Sequence, residues 1–154
     1  MLKRYTFWLW VAIVFQLLTG AVHSLSLFIS PVPGNETERQ LFELMANYKL
    51  DMGAGIHRSM GELFKALSSC FSLLCLLGGL INIYLLRRKV EAGVVKGLVG
   101  IQLIVFGICF GVNVALTFLP PIVLTGLVVV SLAIAYFTNP GQSVSSSDSD
   151  SIPL

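Results

Sequence analysis

The stretch GIHRSMGELFKALSSCFSLLCLLGGLIN, residues 55–82, opens with His57, Arg58, Glu62 and Lys65 and then carries no charge as far as Leu86. Ser59 and Glu62 have the spacing of a capping box, in which the serine accepts from an early helical N–H and the glutamate reaches back to the serine N–H. A helix therefore starts at the polar end and continues through an apolar run long enough to cross a bilayer, for which about 20 residues suffice. Within that run Glu62, Lys65, Ser69, Ser72, Gly79 and Asn82 recur at steps of three, four or seven and share one face. Such a face prefers a neighbouring helix to lipid, where a charge is expensive.

The rest of the chain has the same character. Of its 154 residues 55% are hydrophobic and only 12% charged, with a mean hydropathy of +0.84, whereas an ordinary soluble domain has about 25% charged residues. Four apolar runs, at 5–29, 63–86, 94–118 and 120–137, predict an all-α, four-helix transmembrane bundle over residues 1–138. The last run begins at Pro120-Pro121, where proline is tolerated because first-turn N–H groups have no intrahelical partner. Basic residues lie at Lys3-Arg4, at Arg87-Arg88-Lys89 and at Lys96, while the loop 30–62 mixes Arg39, Lys49 and Arg58 with Glu36, Glu38, Glu43 and Asp51. That asymmetry places both termini in the cytoplasm and the 30–62 loop outside. The Ser- and Asp-rich segment 139–154 has almost nothing to bury and is expected to be a disordered cytoplasmic tail. The first span could be a signal peptide cut after Ser24, but its apolar run continues through Leu25, Leu27 and Ile29, which favours an uncleaved anchor.

Inside the external loop, Asn35 precedes Glu38 by three residues, and Leu41, Leu44, Met45 and Tyr48 follow at helical spacing. This predicts a short external amphipathic helix, N-capped by Asn35, with its apolar side toward the membrane surface or the mouth of the bundle. The sequence DMGAG then lets the chain turn back. Asn35-Glu36-Thr37 is also a glycosylation sequon, relevant only in a glycosylating compartment.

Two further helices carry polar positions on one side, Gln16, Thr19, Gly20 and His23 on the first, Gln102, Cys109 and Asn113 on the third. Antiparallel packing is expected to bring His23 level with Glu62 and Lys65, so His23, His57, Arg58, Glu62, Lys65 and Ser69 form the candidate ligand-binding group. Gln16, Asn82, Gln102 and Asn113 read as interhelical glue. The third helix also bears Gly93, Gly97, Gly100, Gly107 and Gly111, a stripe with two GxxxG spacings that permits close approach of a helix from the same chain or from a second copy. Cys70 and Cys75 are about 500° apart around their helix and Cys109 stands alone, so no thiol pair, metal or cofactor is expected. No phosphate loop, nucleophile motif or zinc signature occurs. A nucleic-acid partner is not expected either.

The pattern over residues 55–82, preceded by a His-bearing span and an external amphipathic segment, resembles small four-helix bacterial membrane proteins of the broad DoxX-like type. The resemblance covers the arrangement of spans more than the letters. It implies a four-helix bundle in a bacterial inner membrane and no catalytic residues to carry over. The resulting expectation is a non-enzymatic membrane protein whose outward-facing polar pocket binds a small hydrophobic molecule, a lipid or a partner helix. The alternatives are a small transporter, or a membrane-embedded enzyme with His23 and Glu62 as acid and base.

Overall fold

The computed structural model describes residues 4–29 and 32–141. It contains α1 (Arg4–Ser26), α2 (Glu36–Asn47), β1 (Lys49–Asp51), β2 (His57–Ser59), α3 (Met60–Arg87), α4 (Ala92–Leu116) and α5 (Leu119–Thr138). The all-α class expected from the sequence is the class observed, and α1, α3, α4 and α5 are each long and apolar enough to cross a membrane. Their outer surfaces carry exposed Leu18, Leu73, Leu77, Ile101, Ile108 and Val130, side chains that only an apolar surrounding would cover favourably.

The chain divides into two compact units, one running from Gln16 to Gly78, the other taking the chain up to Phe15 and from Gly79 onward. In the latter, α4 and α5 form an antiparallel hairpin closed by Thr117 and Phe118, with prolines in the first turn of α5. Two glycines set the spacing. A Cβ added at Gly100 would come within 3.0 Å of the Tyr136 ring, and one at Gly126 within 3.2 Å of the Phe110 ring. Each helix thus lays an aromatic ring into a gap left by a glycine on the other, around buried Val99, Phe106, Val128 and Leu132. Of the glycine stripe, only Gly100 makes such an approach within the hairpin, together with Gly126, which lies outside the stripe; a Cβ added at Gly97, Gly107 or Gly111 would meet no atom within 4 Å.

The unit from Gln16 to Gly78 has a different construction. Asn35 caps α2 as the spacing predicts, its Oδ1 accepting from the Glu38 N–H at 2.8 Å. Glu38 returns two bonds, accepting from Gly34 N–H at 2.7 Å and from Asn35 Nδ2 at 3.0 Å. After α2 the chain forms a hairpin rather than an open loop, with Lys49 opposite Ser59, Leu50 opposite Arg58 and Asp51 opposite His57. Gly53, Ala54 and Gly55 take φ of 84°, 52° and 76° at its tip, a run of left-handed residues that two glycines make accessible. The Asp51 carboxylate accepts from the Gly53 N–H at 2.9 Å and holds the turn.

The tail boundary also changes. Asn139 is buried, donates from Nδ2 to the Ala92 carbonyl at 3.1 Å, and accepts at its own carbonyl from Lys96 Nζ at 3.1 Å. Residues 139–141 therefore belong to the α4–α5 hairpin rather than to a disordered tail. The remainder of the expected tail, 142–154, lies outside the described residues, as does Lys3.

Candidate functional site

Ser59 closes β2 and caps α3. Its Oγ accepts from the Glu62 N–H at 3.2 Å, and Glu62 Oε2 accepts from the Ser59 N–H at 2.9 Å. The capping box read from the sequence is thus formed. The other Glu62 oxygen lies 3.8 Å from Arg58 Nη1, both side chains about half exposed, a geometry of little energetic weight. Lys65 is exposed, and Ser69 Oγ bonds back to the Lys65 carbonyl at 2.8 Å. His57 is exposed on the outer part of the hairpin.

His23 does not join them. Its ring meets Phe71 edge to face at a centroid distance of 5.0 Å, and the preceding turn of α1 is fixed by Gly20. A Cβ there would sit 3.3 Å from both Cys75 Cβ and the Ser72 carbonyl oxygen. As α1 advances from Gly20 to His23, its neighbours on α3 recede from Cys75 to Phe71, so the two helices run antiparallel as expected. The register is the correction. Phe71 lies nine residues beyond Glu62, about 13 Å along the helix axis, and α1 ends before its antiparallel path reaches Glu62. The close approach at Gly20 sets this register, and sequence spacing alone carried no information on it. His23 and Glu62 are consequently not an acid–base pair.

The polar positions read as glue are better placed. Asn82 and Gln102 exchange two bonds, Asn82 Nδ2 donating to Gln102 Oε1 and Gln102 Nε2 to Asn82 Oδ1, both at 2.9 Å. Asn82, Gln16 and Thr19 are buried. Asn113 Nδ2 reaches Thr125 Oγ1 at 3.5 Å, a long contact. The buried Ser72 hydroxyl has no hydrogen-bond partner among the described residues.

A wide-open surface depression of this unit lies elsewhere, along α2. Gln40, Glu43, Leu44, Asn47 and Tyr48 line an open cleft of about 510 Å³. The amphipathic face expected from Leu41, Leu44, Met45 and Tyr48 is split. Met45 and Phe42 are half-buried, and the Met45 carbonyl oxygen lies 3.3 Å from where a Gly61 Cβ would stand. Leu41, Leu44 and Tyr48 remain 51–60% exposed. Arg39 pairs with Glu36 and Glu43 on the polar side, and Gln40 Nε2 donates to Glu36 Oε1 at 3.1 Å. The Arg39 guanidinium, helped by the Gln40 amide, holds the Glu36 carboxyl below its ordinary pKa. The sequence signal for the cleft was present in the Leu44–Tyr48 step, but which apolar residues stay uncovered depends on where Gly61 receives the helix.

Among the described residues no three His, Cys, Asp or Glu side chains gather in a metal-binding arrangement. Cys70 is exposed and Cys75 buried, on different faces of α3. No family model matches the chain, and neither a curated protein nor a solved structure shows significant similarity to it.

Proposed function

We propose that the chain is a non-enzymatic polytopic protein of a bacterial inner membrane, both termini cytoplasmic, whose segment between the first two spans binds a small amphipathic molecule. The observation that carries this reading is the cleft on α2. Its lining combines Leu44 and Tyr48 with the polar ends of Gln40, Glu43 and Asn47 along a wide-open depression, on which an amphipathic molecule would lie rather than be enclosed. An apolar body with a hydrogen-bonding head fits that mixture, and the exposed Leu41 extends the apolar strip.

Native mass spectrometry of the full chain from mild detergent tests it. A retained small adduct that is lost in Leu44→Ala and Tyr48→Ala, but kept in His23→Ala, supports the cleft. Bare protein, or an adduct indifferent to both cleft variants, overturns it. The same spectra report copy number. We further propose that α4 self-associates through Gly97, Gly107 and Gly111, whose open surroundings leave room for a second helix backbone; a strictly monomeric mass in bilayer-like discs would remove that reading.

A further inference from the structure

The end of α3 carries three consecutive cations whose charge no carboxylate of the described chain answers. Arg87, Arg88 and Lys89 are all exposed, and the ion pairs of the described residues involve only Arg39 and Arg58. Lys96 differs, since its ammonium is held by the Asn139 carbonyl at 3.1 Å and lies over the Tyr136 ring at 5.3 Å. Arg88 has only the ring of exposed Tyr84 beneath it, at 5.7 Å. Glu91, the residue before α4, is the single acid of this connection.

The corner is a defined structure. Lys89 N–H bonds to the Leu86 carbonyl at 3.3 Å and Val90 N–H to the Leu85 carbonyl at 3.2 Å, the pattern of a Schellman cap. Lys89 occupies its left-handed position with φ of 51°, where glycine is the usual residue. The chain thus places a cation where the backbone favours a residue with none, directly at the water-facing end of an apolar helix.

We propose that the Arg87–Lys89 corner binds the headgroups of anionic phospholipids in the leaflet at that end of the span. Guanidinium groups match phosphate oxygens bidentately, Tyr84 gives an aromatic surface at headgroup depth, and a basic cluster next to a spanning helix is attracted by a negative leaflet. The proposal needs the chain to lie in a bilayer, and is independent of the cleft on α2.

The test is lipid retention by the full chain in nanodiscs of phosphatidylcholine with a minor fraction of phosphatidylglycerol, read by native mass spectrometry. Phosphatidylglycerol should be enriched above its bulk fraction, and the enrichment should fall as ionic strength rises about tenfold. Arg87→Gln, Arg88→Gln and Lys89→Gln together should abolish it, each charge removed lowering relative affinity by about fivefold, whereas Arg87→Lys with Arg88→Lys should retain it. Retention in the bulk ratio, or equal enrichment in the triple variant, overturns the proposal. If that variant does not fold, the salt dependence of the unmodified chain decides. Displacement by inorganic phosphate beyond that by chloride at equal ionic strength would assign the corner to free phosphate and also overturn it.

Discussion

Nine residues of α3 separate Glu62 from Phe71, about 900° of rotation that puts the two on opposite sides of the helix. His23 packs on Phe71 at 5.0 Å, while Glu62 is occupied by the Ser59 N–H at 2.9 Å. Groups so far apart, with no shared partner, act independently. The effects of His23→Ala and Glu62→Gln on thermal stability in one detergent should therefore add, and a double variant departing clearly from the sum would show a contact the structure lacks. Asn82 and Gln102 are the opposite case. Each satisfies the other through two bonds of 2.9 Å, with Asn82 fully buried. Replacing Asn82 alone by leucine removes two hydrogen bonds from the Gln102 amide and should cost about 1–3 kcal/mol. In a double-mutant cycle with Gln102→Leu the coupling should lie between about 0.6 and about 1.7 kcal/mol, the average and the upper end for interhelical bonds in membranes. A coupling of zero would mean that water or another side chain replaces the lost partner.

At the scale of elements, α4 and α5 show how glycine can be read by what stands above it. Gly100 faces the Tyr136 ring and Gly107 faces open space, so the two should respond differently to enlargement. Gly100→Leu should lower the melting temperature strongly, as overpacking costs about 1–3 kcal/mol or more, and pairing it with Tyr136→Ala should recover part of the loss. Gly107→Leu should leave the monomer's stability unchanged and, if α4 self-associates, remove the dimer. Equal damage by Gly100→Leu and Gly107→Leu would contradict the packing. The α2 helix is governed by charge instead. The lowered pKa of Glu36 means that its ionised form favours the folded helix, so the stabilisation is fully present above the ordinary value of 4.5 and is lost as pH falls below it. Protection of the amides across residues 36–47, measured relative to the intrinsic exchange rate at each pH, should therefore fall on acidification below that value. In Arg39→Gln the onset should move to higher pH, because the hydrogen bond that lowers the Glu36 pKa is gone; an unchanged onset would assign the fraying to another group.

At the scale of the whole molecule, the distribution of charge predicts the topology. With Cys70, Cys75 and Cys109 replaced by alanine, a cysteine at Gln40 should react with an impermeant reagent from outside intact cells. One at Ser146 should react only after permeabilisation. Labelling of both from the same side would overturn the assignment of both termini to the cytoplasm. It would leave the helices themselves untouched, since their length and apolarity do not depend on direction.

Four long apolar helices and the two caps at Asn35 and Ser59 were determined by the sequence alone, because periodicity and capping depend on residues within one or two turns of each other. Of the polar face of α3 expected to turn inward, Ser72, Gly79 and Asn82 are buried while Glu62 and Lys65 are exposed. Periodicity and capping are local properties, and the bonds at Glu38 and Glu62 follow the spacing. The short hairpin was less legible. Its strands, Lys49–Asp51 and His57–Ser59, contain no β-branched residue and are too short to show alternation, so the left-handed turn at residues 53–55 became evident only once paired. Tertiary structure decided which glycines touch a neighbour, that Asn139 closes the α4–α5 hairpin, and that His23 meets Phe71 rather than Glu62. All three are matters of register between helices. Register depends on a few close approaches, such as Gly20 on Ser72 and Gly100 beneath Tyr136, and residues far apart in sequence leave no periodic signal of which of them will meet.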